Sequence, residues 1–145
     1  MYSNSKDQKQ YSRDRYSRLK AEGKCLSHPE SPMVGRSPRC QKCIDRFAER
    51  YKQLKISALR AYSDSEVPKC SCCGEIDIAF LTLDHVNGGG SKHRKQLRAE
   101  GGTSFYHVLA KTGYPRDPPL RVLCMNCQFG ILIGHGVCPH RTAKS

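Results

Sequence analysis

Tryptophan is absent from this 145-residue chain, and aromatic residues make up only 8% of it. Hydrophobic residues reach 37%, which excludes a large apolar core and fits one domain or two very small ones. No apolar run approaches the roughly 20 residues of a membrane span, so a soluble protein with no membrane partner is expected. A signal-like N-terminal segment is also lacking, which argues for a reducing, cytoplasmic setting. Acidic residues are scarce: 13 Asp and Glu face 25 Lys and Arg, for a formal net charge of +12. Such a balance points to a polyanionic partner, nucleic acid first.

Cysteine is what the chain has in excess, with nine residues. In a reducing compartment, paired cysteines are metal ligands before they are disulfides. Cys25 and His28 stand two residues apart, as do Cys40 and Cys43, with a Pro- and Gly-containing loop between the pairs. That spacing predicts a tetrahedral zinc site of three cysteines and one histidine. The alternative leaves His28 on the surface and the thiols free or on an iron-sulfur cluster. Cys70 and Cys73, followed by Gly74, pair with Cys124 and Cys127 about fifty residues later, which predicts a four-cysteine zinc site. Two zinc sites lower the formal charge to about +9, still strongly basic. Cys72 lies inside the first knuckle and is not expected to bind there. Cys138 and His140, one residue apart, could join Cys72 in a further site, but packing or surface roles are favoured.

The chain is organised around these pairs. Residues 1–23 are polar and read as a basic arm containing Tyr2, Tyr11 and Tyr16, with a thin helix over Asp7–Glu22 ending at Gly23; it is either a solvated tail or a phosphate-binding arm. Residues 24–68 hold the first zinc element and a connecting helix over Ile44–Tyr62. Ile44, Phe47, Tyr51, Leu54, Ala58 and Tyr62 form its apolar stripe. A spacer helix outranks one that tracks a nucleic-acid backbone. Residues 63–68 close it, and residues 69–145 form the last domain. Alternation over Phe80–Val86 predicts a strand, Leu120–Leu123 a second, Thr103–Thr112 a helix, and the segment from Cys127 through Ile133 another.

At the end of the first strand Asp84 and His85 meet Gly88-Gly89-Gly90, followed by Ser91-Lys92-His93-Arg94-Lys95. Asp84 and His85 suit either a metal ligand beside a general base or a turn device. The glycines suit a hinge or a phosphate loop, and the basic run a phosphate clamp led by Arg94 and His93 or a solvated charge run.

Cys70/Cys73, Leu83-Asp84-His85, His93-Arg94, Val122-Leu-Cys-Met-Asn-Cys127 and the amide residue Gln128 together resemble the zinc-containing HNH nucleases of the ββα-metal fold, most closely the phage endonuclease VII type. The resemblance covers roughly Gly23–Arg141. It implies an α+β protein with a treble-clef-like ββα-metal domain, preceded by the zinc element and helix, of phage or bacterial origin. It further implies hydrolysis of DNA phosphodiesters, branched and nicked DNA being candidate substrates, with a protein partner or a homodimer left open. His85 would be the general base. Asp84 and the first residue after Cys127 would hold Mg²⁺ or Mn²⁺. Family members have His or Asn at that position, and this chain has Gln128. Where the family's central Asn is expected, the chain has Asp117-Pro118-Pro119-Leu120, and Asn87 is a candidate to orient the imidazole. Lys92, His93, Arg94 and Lys95 would contact nucleic acid. The alternative is a zinc protein that binds nucleic acid without cutting it. A zinc deaminase fits badly, because His85 is followed by Val86 and Asn87 and not by H-x-E spacing.

Overall fold

One helix, a loop and the first part of a second helix make the first of two units, which divide at Arg50/Tyr51. A computed structural model describes residues 5–99 and 102–142; residues 1–4 of the expected arm, with Tyr2, and 143–145 of the last domain lie outside the described residues. Helix α1 spans Ser5–Ala21. Its polar composition leaves it exposed along most of its length, and Leu19 is its one buried side chain among the described residues. The chain then loops through residues 24–40, pinned by a Lys24–Pro32 bridge and a Val34–Ser37 bridge, and enters helix α2, Gln41–Tyr62.

The sequence placed the domain boundary at 63–68, whereas the units part inside α2. The reason lies in which part of the stripe is buried. Ala58, Leu59 and Tyr62 enter the core of the second unit, with Tyr51 and Leu54 packed against it. Phe47 stays 48% exposed, with the Arg39 guanidinium 5.2 Å from its ring centre.

In the second unit, β1 (Leu81–His85) pairs antiparallel with β2 (Leu120–Cys124), opposing Leu81 to Cys124, Leu83 to Val122 and Asp84 to Arg121. Between them lie α3, Gly90–Gln96, and α4, Gly102–Lys111. After β2 come α5, Met125–Ile133, and the short α6, Pro139–Thr142. Alternation puts Leu81, Leu83 and His85 on the buried face of β1. Leu81 and Leu83 meet Leu59, Phe105, Leu109, Val122 and Leu123 in a small core that also contains Cys70, Cys124, Cys127 and Cys138. The protein is thus a small α+β chain with a two-stranded antiparallel sheet and cysteine-rich clusters. Among the described residues no helix is long and apolar enough to cross a membrane.

The helix α3 was not legible in the basic run. Gly88 and Gly89 adopt φ of 72° and 77°, a left-handed turn that costs other residues about 1–2 kcal/mol each. It reverses the chain at the end of β1 and starts α3 at Gly90.

Candidate metal centres and the adjoining cleft

In the first unit, the ligand atoms of Cys25, His28, Cys40 and Cys43 all lie within 4.8 Å of one another. The Sγ atoms of Cys25 and Cys43 are 3.7 Å apart, and His28 Nδ1 is 3.4 Å from Cys40 Sγ and 3.2 Å from Cys43 Sγ. A tetrahedral zinc with bonds of about 2.3 Å to sulfur and 2.0–2.1 Å to nitrogen requires edges of about 3.8 Å and 3.6 Å. These four residues match that size. Burial pushes the Cys25 thiol up, but the backbone amides of Cys40, Ser27 and His28 more than offset it and hold the thiol at about 6, near the thiolate a metal needs.

The second cluster gathers Cys70, Cys73, Cys124 and Cys127, with Cys73 and Cys124 Sγ 3.6 Å apart. Cys70 and Cys73 come from a turn tied to the sheet by the Ser71 N–H donating to the Val122 carbonyl at 2.9 Å, and Cys124 and Cys127 from the first turn of α5. Burial again raises the Cys70 thiol, while amides of Cys73, Cys124 and Cys72 bring it to about 7.

A third cluster joins Cys72, Cys127, Cys138 and His140; Cys138 is also buried in the core, as a packing role expects, but the two residues meet two further donors that the sequence did not bring to them. Their spacing misled because the other two ligands come from Cys72 in the first knuckle and Cys127 on α5. His140 Nδ1 lies 3.2 Å from Cys127 Sγ and 3.6 Å from Cys138 Sγ. All three clusters could hold zinc by donor type. Together they use every one of the nine cysteines.

Beside the second cluster is an open cleft of about 660 Å³, whose lining includes Asp84, His85, Arg94 and Gln128. Asp84 and Gln128 come together because β2 leads directly into α5: the Gln128 amide Nε2 lies 3.4 Å from Asp84 Oδ1. The other carboxylate oxygen is engaged. Arg121 donates to Asp84 Oδ2 from Nε and forms an ion pair through Nη2, each at 2.8 Å. Arg121 carried no signal by itself. The inward Leu81 and Leu83 facing an inward Val122 restrict the register to pairings of the kind that set Asp84 against Arg121.

His85 is 7% exposed, with its ring against Phe105 and its Nε2 2.8 Å from Nδ1 of His93. Burial holds its imidazole below the ordinary value, the charges of His93 and Arg94 adding to the effect and Asp84 opposing it. Nδ1 faces Gly90, where a Cβ would come within 2.8 Å of it; glycine is what leaves that nitrogen room.

The partner of the imidazole is His93, while Asn87 is exposed. The basic run is divided by the turn of α3. Arg94 faces the cleft, its guanidinium 5.3 Å from the Phe105 ring centre and its buried Nε without a hydrogen-bond partner. Lys92 and His93 border a second, smaller hollow that His85 also lines, and Lys95 is exposed.

Compared with protein-family models, curated proteins and solved structures, the chain matches none. A neutral imidazole, a half-paired carboxylate, a carboxamide and a guanidinium share one cleft on a basic molecule. That set can accept a proton, hold a hard cation and receive an anion.

Proposed function

We propose that this chain is a metal-dependent endonuclease of the zinc HNH type that hydrolyses DNA phosphodiesters, its β1, β2 and α5 forming the ββα-metal unit. The observation that carries the reading is the meeting of Asp84, His85 and Gln128 in one cleft. Three features add to it: the net charge of +12, the Arg94 donor without a partner, and the lowered basicity of His85.

The donor set of Asp84 and Gln128 fits a divalent ion. The two ends of a carboxamide are interchangeable on rotation, so Gln128 can turn its oxygen toward Asp84 Oδ1. The present separation of 3.4 Å exceeds by a few tenths of an ångström the edge of about 3.0 Å between neighbouring ligands at 2.1 Å from an octahedral Mg²⁺. Asp84 and Gln128 would hold Mg²⁺ or Mn²⁺, which would neutralise charge building on the phosphate oxygens.

His85 accepts the proton of the attacking water at Nδ1, the nitrogen that Gly90 leaves open, while its Nε2–H donates to His93 Nδ1 and fixes the tautomer. Water forms the new P–O bond as the bond to the 3′ oxygen breaks. Arg94 binds the phosphate, and exposed Phe129 and Met125 give the cleft an apolar wall on which a sugar or base can rest.

Arg121 favours a second reading, a zinc protein that binds nucleic acid without cutting it, because its ion pair already neutralises Asp84. Gln128→Asn separates the two. In the nuclease, shortening the side chain alters both the divalent-ion affinity measured by calorimetry and the rate of cutting; in the binding module neither changes, and only salt-sensitive DNA binding remains.

A further inference from the structure

We propose that Cys127 is a bridging thiolate, and that the second unit holds a binuclear zinc cluster in which two tetrahedra share its sulfur. The inner ion takes Cys70, Cys73 and Cys124 with Cys127, and the outer ion takes Cys72, Cys138 and His140 with Cys127. The proposal is independent of the nuclease reading.

Its basis is geometric. Cys127 Sγ belongs to both four-atom groups, each with all its atoms within 4.8 Å of one another. Remove it, and each group has three donors where a structural zinc takes four. A thiolate has the lone pairs to serve both. The separations lie at or within about 0.4 Å of tetrahedral edges in each half: 3.6 Å between Cys73 and Cys124 in the inner one, and 3.2 Å and 3.6 Å from His140 Nδ1 to Cys127 and Cys138 in the outer one. The donors are thiolate and imidazole, the set that selects zinc over hard cations.

The fold is shaped to bring the outer ligands in. Gly130, one turn beyond Cys127 on α5, is buried, and a Cβ there would lie 3.1 Å from Pro139 Cδ and 3.5 Å from Cys138 Sγ. Glycine costs a helix interior about 1 kcal/mol relative to alanine, and here it lets the Cys138-Pro139 turn lie against the helix. Six thiolates, a neutral imidazole and two Zn²⁺ carry a net charge of −2. Arg141 lines the same small cavity as Cys72 and Cys138, which suits an anionic cluster. The outer ion would tie α6 to α5, the helix that carries Gln128.

The test is metal content and cadmium NMR of the full chain, purified reduced and freed of weakly bound ions. Three zinc ions per chain are expected, falling to two in His140→Ala. Wild-type protein loaded with ¹¹³Cd should give three resonances, two of them split by each other through the shared sulfur. This second readout does not depend on any variant folding. Two ions per wild-type chain, a Cys72–Cys138 disulfide found by non-reducing mass spectrometry, or three unsplit resonances would each overturn the bridge.

Discussion

Replacing His28 with alanine should unfold the first unit and leave the second intact. The described apolar side chains buried in the first unit are Leu19, Cys25 and Cys40. Burying one leucine contributes about 1.5–3 kcal/mol, whereas fixing one residue's backbone costs about 1–2 kcal/mol. Leu19 therefore offsets the ordering of about two residues, and the loop between Cys25 and Cys40 is far longer. A structural zinc on these four ligands would supply about 10–16 kcal/mol at neutral pH, so nearly all the order of that loop would rest on the metal. Hydrogen exchange read by mass spectrometry reports the outcome directly. In the wild type the loop amides held at 2.8–3.0 Å include Cys25 N–H on the Ser31 carbonyl, Ser31 on His28, Met33 on Gly23 and Val34 on Arg39. In His28→Ala, at fixed zinc, they should exchange at unfolded-chain rates while β1 and β2 keep their protection. Persistent protection of the loop in the variant, or after chelation, would refute the reasoning.

Further outcomes concern the cleft and the second core. Gly90→Ala should destabilise the second unit by about 1–3 kcal/mol in thermal melts, because its Cβ would press on His85 Nδ1 at 2.8 Å, and should remove cutting at temperatures where the variant is still folded. The acid limb of the rate profile should fall below pH 6.5, since burial lowers His85 from that value; the stability linked to its neutral form is complete above pH 6.5 and is lost as pH falls through the lower folded value. Arg121→Gln should tighten Mn²⁺ binding at least several-fold by calorimetry, because it frees Asp84 Oδ2 from its ion pair. Leu83→Ala should cost about 2–5 kcal/mol in denaturant unfolding, as the side chain is 1% exposed among close-packed neighbours.

Periodicity carried the secondary structure wherever one face is buried. The β1 alternation and the α4 helix were readable because burial of one face in a small core demands them. It failed at Phe47, where helical spacing continued past the point at which any core remained to bury it. It also missed α3, a helix with no buried residue and hence no apolar period. Ligand spacing gave the first two metal clusters, since each pair lies on one tight turn. The third escaped because its four ligands come from three separate segments, brought together by the approach of Pro139 to Gly130. In the cleft, Asp84, His85 and Gln128 were accessible as chemistry. Two contacts that decide their state, His93 on His85 and Arg121 on Asp84, depend on a helix turn and a strand register.

The most direct test of the nuclease reading is conversion of supercoiled plasmid by zinc-loaded protein, with and without Mg²⁺ or Mn²⁺, beside His85→Ala and Asp84→Asn carrying the same zinc. The predicted result is nicking that requires the divalent ion and is lost in both variants, while all three proteins bind DNA with the same steep salt dependence. Equal residual cutting by wild type and variants, or salt-sensitive binding with no cutting under any ion, would contradict it.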